Sequence, residues 1–197
     1  MKRFSILFFL VLVCCVLFIR GRIFLESSPS SIKLEVEDAI NRGFDGIIVY
    51  VDLNENRTHY TAGWKNRENK IPANPDALFK IASISKLYIS AAVAKLVYLE
   101  RLSLDKTLVH YIPDLVGRIE NTETITLKML LQHRSGIPDF IDHPEYPWGE
   151  PPMSLRETLE LVLDIPADFG ADKRYKYSNT NYLLIGEILD NTLGYSH

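Results

Sequence analysis

Cysteine is almost absent from this chain. Its only two cysteines are the adjacent pair Cys14 and Cys15, and both lie in an apolar run close to the N-terminus. The rest of the chain therefore has neither a disulfide framework nor a metal site built from cysteine.

An excess of charge of either sign is also lacking. The net charge is −3 at pH 7, and charged residues make up 24% of the 197 residues. Without a basic patch, nothing indicates a nucleic-acid partner, and without an acidic run nothing indicates a disordered tail. Hydrophobic residues make up 47%, which permits a sizeable core. The length suits one domain of ordinary size or part of a larger one.

Residues 1–25 are predicted to be a targeting segment. A basic start, Met1–Arg3, precedes a run at 4–19 that is apolar except for Ser5. As a helix this run spans about 24 Å, short of the ~30 Å hydrocarbon core of a bilayer, which favours a signal peptide. No cleavage site of small residues follows, so an uncleaved signal anchor stays open. After a linker at 26–30, we expect the rest of the chain outside the cytoplasm: periplasmic, secreted or membrane-anchored.

One hairpin surrounded by helices is predicted from residue 31 onward. A helix is expected at 31–41, and strands at 46–53 and 58–64 form the hairpin. Residues 65–76 indicate a polar loop with two prolines. Further helices are expected to begin near residues 83, 126, 154 and 178, with an extended or irregular segment at 109–115 and a long loop at 137–152.

Ser83 and Lys86 stand at the start of a strongly helical stretch. Side chains three residues apart share one face of a helix, about 5–6 Å from each other, so the hydroxyl would lie beside the amine. The amine can take the proton of the hydroxyl, and the unpaired N–H groups of a helix start can stabilise an oxyanion. These are the parts of an acyl-transfer site. The spacing alone favours the simpler interpretation, a serine that caps a helix beside a solvated lysine.

A second motif, Tyr177-Ser178-Asn179, lies before the last predicted helix. From a loop in that position, a tyrosine can enter a cleft as a proton carrier and an asparagine as an amide that forms hydrogen bonds. The two motifs together favour a catalytic site over a helix cap.

At this point the chain resembles a known superfamily. The segment FKIASISK, with Ser83 and Lys86, is similar to the active-site helix of the serine β-lactamases and penicillin-binding proteins. The resemblance covers about residues 31–195, with its segments in the same order. It implies an α+β fold with an antiparallel sheet flanked by helices, plus a helical subdomain. Three later segments resemble the class C β-lactamase and D-alanyl-D-alanine carboxypeptidase branch: LSLDKTLVHYIPDL, LLQHRSGIPDF and YSNTNYLLIGEIL.

The resemblance also implies an activity and roles for four residues. Ser83 would attack an amide or ester (a β-lactam, a D-Ala peptide or a small ester) and form an acyl-enzyme. Peptidoglycan is among the expected substrates. No cofactor is expected. Lys86 and Tyr177 would take the serine proton, and Asn179 would bind the substrate amide or hold Lys86. Burial lowers a lysine pKa and a nearby cation lowers a tyrosine pKa, so either residue can be the base. The alternative is a non-catalytic member of the fold that binds peptidoglycan or a protein partner.

The chain departs from the superfamily pattern after the tyrosine motif. Relatives carry a Lys-Thr-Gly or His-x-Gly triplet on a later strand, and this sequence stops at His197 without one. We interpret 31–197 as a β-lactamase-related domain whose C-terminal strands are absent from this chain. Because loss of one oxyanion donor costs about 10²–10³ in rate, we expect the chain alone to be nearly inactive.

Two further patterns are assigned structural roles. His133, Asp139, Asp142 and His143 do not follow an established ligand motif, and no metal site is predicted. Apolar side chains recur at helical spacing after Ser83, and we expect them to pack in the core; they are Leu87, Ala91, Ala94 and Tyr98.

Overall fold

Residues 31–148 and 153–195 are described by a computed structural model, in which the chain divides into two compact units after Lys80. The predicted targeting segment and linker lie outside the described residues. Within the described ranges, no helix is both long enough and apolar enough to cross a membrane.

The first unit begins with helix α1, Ile32–Asn41. The hydroxyl of Ser31 accepts a hydrogen bond from the backbone N–H of Leu34 at 3.3 Å and so caps the helix start. Helix α1 packs against the two long strands that follow it, and Val36 is buried in this contact. The predicted helix at 31–41 is confirmed.

Strands β1 (Gly46–Leu53) and β2 (Asn56–Asn66) form an antiparallel hairpin in which Leu53 pairs with Asn56. The two turn residues between them, Asn54 and Glu55, have φ angles of 50° and 68°. Two positive φ angles are typical of a type I′ turn, whose twist matches that of the strands. The tight turn explains why β2 begins two residues before the predicted start.

A third strand, β3 (Ile71–Pro72), pairs antiparallel with β2 and gives the strand order β1-β2-β3. The prediction of a loop throughout 65–76 is wrong at these two residues and at 65–66, where β2 continues. A two-residue strand is too short to show the alternation that marks a strand in sequence. Proline is tolerated there because β3 lies at an edge of this sheet.

The second unit begins with a 3₁₀ turn, Ala82–Ile84, that continues directly into helix α2, Ser85–Tyr98. Helix α3 (Leu108–Tyr111) and a 3₁₀ turn at Pro113–Leu115 follow. The extended or irregular segment predicted at 109–115 is therefore wrong. Burial of Leu108, Ile112 and Leu115 gives this segment a helical spacing, and Pro113 is favourable at the first position of a helical turn.

Three more helices complete the second unit as the sequence indicated. Thr126 caps α4 (Leu127–Leu131), and Ser154 forms a capping box with Glu157 at the start of α5 (Leu155–Glu160). Helix α6, Asn179–Leu193, ends at Gly194, whose φ angle of 81° is left-handed. The described part of the long loop, 137–148, contains a 3₁₀ turn, Phe140–Asp142.

The core of the second unit forms around α6, which packs against α2, α4 and α5. Helix α2 contributes Val93 and Leu96, which are 0% and 6% exposed. The prediction that Leu87, Ala91, Ala94 and Tyr98 pack in the core is wrong. All four are exposed to solvent, Leu87 to 69% and Tyr98 to 79%. Because α2 is apolar on most sides, periodicity could not choose its buried face.

Candidate active site

Ser83 lies in the 3₁₀ turn before α2, next to two polar side chains. Its hydroxyl oxygen is 3.0 Å from the phenolic oxygen of Tyr177 and accepts a hydrogen bond from Lys86 Nζ at 3.3 Å. The side chain of Ser83 makes no helix-capping hydrogen bond, so the interpretation as a simple cap is wrong. The residue before it, Ala82, has a φ angle of 45°, which is uncommon for a residue other than glycine.

Lys86 is half-buried on the first turn of α2. Its Nζ donates a hydrogen bond to Asn179 Oδ1 at 2.8 Å, in addition to the longer one to Ser83. The ammonium also lies 5.1 Å from the ring centroid of Tyr177 and 5.6 Å from that of Tyr182. At these distances the ring faces attract a cation. The amide and the two rings thus hold the lysine beside the serine.

Tyr177 precedes α6 and remains 38% exposed. Burial raises its pKa, but hydrogen bonds with Lys86 and Ser83 and the charge of Lys86 outweigh burial, and the net effect lowers the pKa. The phenolate is favoured because a cation and two hydrogen bonds stabilise its negative charge. Near neutral pH a larger fraction of Tyr177 is therefore deprotonated, and available as a base, than of an ordinary tyrosine.

The ring of His133 packs against the ring of Tyr177. The two rings are stacked, with centroids 4.4 Å apart and an interplanar angle of 28°. His133 is 9% exposed, and burial, followed by the charge of Lys86, lowers its pKa. Its Nδ1 accepts the backbone N–H of Ser178 at 3.2 Å. The ring is consequently neutral at pH 7 with its hydrogen on Nε2, and it fixes the backbone directly after Tyr177.

A buried asparagine connects this histidine to the preceding loop. Asn181 is fully buried, its Nδ2 lies 3.3 Å from His133 Nδ1, and its Oδ1 accepts the hydroxyl hydrogen of Ser135 at 2.6 Å. Ser135 Oγ in turn accepts the backbone N–H of Ile137. Buried polar groups that are satisfied in this way rigidify their surroundings.

Hydrogen bonds connect the start of α6 to the loop that follows α4. The hydroxyl of Thr180 donates to the carbonyl oxygen of Pro138 at 2.7 Å and accepts the backbone N–H of Phe140 at 3.1 Å. The hydroxyl of Ser178 donates to the same carbonyl. As a result, Asp139 faces the side chain of Asn179, whose Nδ2 donates to Asp139 Oδ2 at 2.9 Å.

All four residues assigned from the sequence, Ser83, Lys86, Tyr177 and Asn179, therefore come together. Of the two roles foreseen for Asn179, the contact with Lys86 is present.

His133 and Asp139 were considered from the sequence only as metal ligands, and their contacts with the site were missed. They lie 45 and 40 residues before their hydrogen-bond partners Ser178 and Asn179. No local spacing connects residues so far apart in the chain.

The model of the protein family described as Beta-lactamase matches residues 34–197. The chain belongs to the Beta-lactamase family. This match confirms the resemblance and the α+β fold predicted for it, an antiparallel sheet with helices. The family lies within the serine β-lactamase and penicillin-binding-protein superfamily of serine hydrolases.

Solved structures agree with this membership. D-amino acid amidase from Ochrobactrum anthropi SV3, complexed with L-phenylalanine, is 27% identical with a TM-score of 0.73, over 84% of this chain and 45% of that chain. A penicillin binding protein from Bacillus halodurans is 26% identical with a TM-score of 0.64, over 76% and 47% respectively.

Curated relatives of the family match over a smaller share of their length. Protein flp from Staphylococcus aureus (strain NCTC 8325 / PS 47) is 28% identical over 136 residues, 68% of this chain and 27% of the relative. The probable fimbrial assembly protein FimD, serogroup H1, of Dichelobacter nodosus is 27% identical over 145 residues, 70% of this chain and 35% of the relative. The chain thus spans about a third or less of these relatives and under half of the solved chains.

Proposed function

We propose that this protein is a serine hydrolase that forms an acyl-enzyme on Ser83 from an amide or ester. The supporting observation is that Ser83 Oγ lies within hydrogen-bond reach of both Tyr177 and Lys86. A hydroxyl so placed can lose its proton to a neighbouring base as it attacks a carbonyl carbon.

The reaction proceeds in two steps. Ser83 Oγ bonds to the substrate carbonyl carbon while its proton passes to Tyr177. The bond from that carbon to the leaving nitrogen or oxygen then breaks, and the leaving group takes the proton. In the second step, water gives a proton to the same base and attacks the acyl ester, which releases a carboxylic acid and restores the serine hydroxyl.

Tyr177 is the favoured base of the pair. Its pKa is lowered and its oxygen is the nearer partner of Ser83. Lys86 then acts as the cation that stabilises the phenolate and as a donor that holds the serine oxygen in place. The backbone N–H of Ser83 is one oxyanion donor, because it lies in a first helical turn where such groups lack intrahelical partners.

The substrate class is a small amide or ester, with D-amino acid amides among the candidates. The D-amino acid amidase named above, at 27% identity, supports this choice. β-Lactams and D-Ala peptides remain in the candidate set through the penicillin binding protein.

Covalent labelling tests the proposal. The chain is incubated with a fluorescent penicillin and, separately, with a p-nitrophenyl ester, and is then digested for mass analysis. We expect a mass increase on the peptide that contains Ser83, built up over hours, and none in Ser83→Ala. The low activity expected of this chain from its sequence, about 10²–10³ below that of a complete site, still permits such single-turnover labelling. Ser103→Ala is the control, because Ser103 lies in the same unit outside the cluster.

For the result to support the proposal, Ser103→Ala must still be labelled on Ser83 at the wild-type rate. If neither probe labels folded protein over hours, or if Ser83→Ala is labelled as fast as the wild type, the hydrolase proposal fails. The non-catalytic alternative, binding of peptidoglycan or a protein partner, would then be favoured.

A further inference from the structure

One side-chain amide bridges an anion and a cation in this site. Asn179 Nδ2 donates to Asp139 Oδ2 at 2.9 Å, and Asn179 Oδ1 accepts from Lys86 Nζ at 2.8 Å. Asp139 is 6% exposed, so its carboxylate is removed from solvent.

The carboxylate of Asp139 determines the orientation of the Asn179 side-chain amide. An ionised carboxylate accepts hydrogen bonds and cannot donate them, whereas an amide has a donor end and an acceptor end of nearly equal shape. With Asp139 in place, only the NH₂ end of Asn179 can face it. The carbonyl end must then face Lys86. In the reverse orientation, the NH₂ would meet the ammonium, donor against donor.

The turn that carries Asp139 holds the carboxylate in place. Its other oxygen accepts the backbone N–H of Ile141 at 3.4 Å and caps the 3₁₀ turn Phe140–Asp142. That turn is bound to α6 through the hydrogen bond from Phe140 N–H to the Thr180 hydroxyl. The carboxylate therefore has a fixed position relative to the first residue of α6, Asn179.

The charge of Asp139 has an unfavourable effect on the base itself. The carboxylate raises the pKa of Tyr177, against the effect of Lys86. Burying a carboxylate is also costly unless hydrogen bonds compensate for lost water. A buried anion beside a tyrosine base thus opposes formation of the phenolate, and a useful role for it must lie elsewhere in the cluster.

We propose that Asp139 is a positioning residue for the reaction: it locks the Asn179 amide with its carbonyl towards Lys86 and so keeps Lys86 beside Ser83. Asp139 does not touch Ser83. It acts through two intermediates, in the order Asp139, Asn179, Lys86, Ser83. The kinetic consequences rest on the proposed function, but the orientation of the amide does not.

The first test measures acylation of Ser83 by a p-nitrophenyl ester. Loss of an oriented hydrogen bond to a charged group costs about 10- to 100-fold, and we expect Asp139→Ala to lower the maximal acylation rate by that factor with the half-saturating ester concentration unchanged. Asp142→Ala is the matched control, since its carboxylate belongs to the same turn but is 68% exposed. Acylation in the control should stay within about two-fold of wild type.

A double-mutant cycle separates positioning from independent effects. If Asp139 acts through Asn179, then adding Asp139→Ala to Asn179→Ala should change the rate by less than about two-fold. Multiplication of the two single effects would overturn the proposal.

The second test needs no catalysis. Amide ¹H–¹⁵N resonances of the Asn179 side chain, assigned by Asn179→Ala, report the two hydrogen bonds of the amide. We expect them to shift in Asp139→Ala and in the near-isosteric Asp139→Asn, which supplies a variant if the alanine form does not fold. They should not shift in Asp142→Ala.

The acylation kinetics and the Asn179 resonances distinguish the proposed hydrolase function from the proposed role of Asp139. If the wild type is never acylated but the Asn179 resonances respond to both Asp139 variants, the hydrolase proposal fails, while the orientation of the Asn179 amide by Asp139 is supported. If these resonances are unchanged in folded Asp139→Asn, the positioning role is overturned whatever the kinetics.

Discussion

The phenolic oxygen of Tyr177 lies 3.0 Å from the hydroxyl oxygen of Ser83, although 94 residues separate them in the chain. Packing of α6 against α2 creates this contact. The serine and its neighbour are thus already in the geometry that proton transfer requires.

Removal of the phenolic hydroxyl should slow acylation and spare the fold. In Tyr177→Phe the ring can still stack on His133, and Tyr177 is 38% exposed, so little core packing is lost. General-base groups contribute about 10²–10⁴ in rate, and we expect a loss of that order in ester labelling with an unchanged melting temperature. Labelling of Tyr177→Phe at the wild-type rate would remove the tyrosine from the mechanism.

The pH profile of acylation should follow Tyr177. Its pKa lies below the ordinary value of about 10, and the proposed reaction uses the deprotonated form. The acylation rate should therefore rise with pH and level off before pH 10, and Tyr177→Phe should lack that rise. A profile that is flat from pH 6 to 10 in the wild type would contradict this assignment.

Stability should fall in mild acid because of His133. The pKa of His133 is lowered in the folded protein, whereas an unfolded histidine titrates near pH 6.5. Just below pH 6.5 the unfolded state therefore binds more protons, so the stabilisation present above that pH is lost as the pH falls towards the folded pKa. Thermal melts from pH 8 to 5 measure the loss.

Replacement of His133 should remove part of that acid sensitivity. We expect His133→Asn to be destabilised at pH 8, where the stacking on Tyr177 is lost, and to show a shallower pH dependence than the wild type. His59→Asn is the control, because His59 is exposed on β2. Equal slopes for wild type and His133→Asn would contradict the prediction.

Two leucines of α2 should respond oppositely to the same substitution. Leu96 is 6% exposed and Leu87 69% exposed. Leu96→Ala should lower the free energy of unfolding by about 2–5 kcal/mol, whereas Leu87→Ala should change it by less than about 0.5 kcal/mol. Urea titrations of the two variants compare them directly, and similar losses would show that Leu87 is buried.

Gly136 should tolerate alanine less well than Gly117. Both have positive φ angles, 82° and 75°, so the backbone cost of alanine is shared. A Cβ on Gly136 would clash with the carbonyl oxygen of Phe169, whereas a Cβ on Gly117 meets nothing within 4 Å. We expect Gly136→Ala to melt at a clearly lower temperature than Gly117→Ala. Equal melting temperatures would mean that Phe169 moves away freely.

Helix starts were predictable from sequence because their signals are local. Ser31, Thr126 and Ser154 each receive a hydrogen bond from a backbone N–H three residues later, and a capping side chain is effective wherever the first turn forms. The β1–β2 hairpin was predictable for the same reason. By contrast, β3 depends on its pairing with β2, and α3 on the burial of Leu108, neither of which appears in a short window of residues.

The sequence by itself indicated that the side chains of Ser83 and Lys86 meet, since residues three apart share one face of a helical segment. It also placed Tyr177 and Asn179 together at the start of another helix. Only the tertiary structure decided that these two pairs meet, that His133 stacks on Tyr177, that Asp139 faces Asn179, and that α2 buries Leu96 and exposes Leu87. Contacts across 40 to 94 residues arise from packing of the whole unit, and no local pattern encodes them.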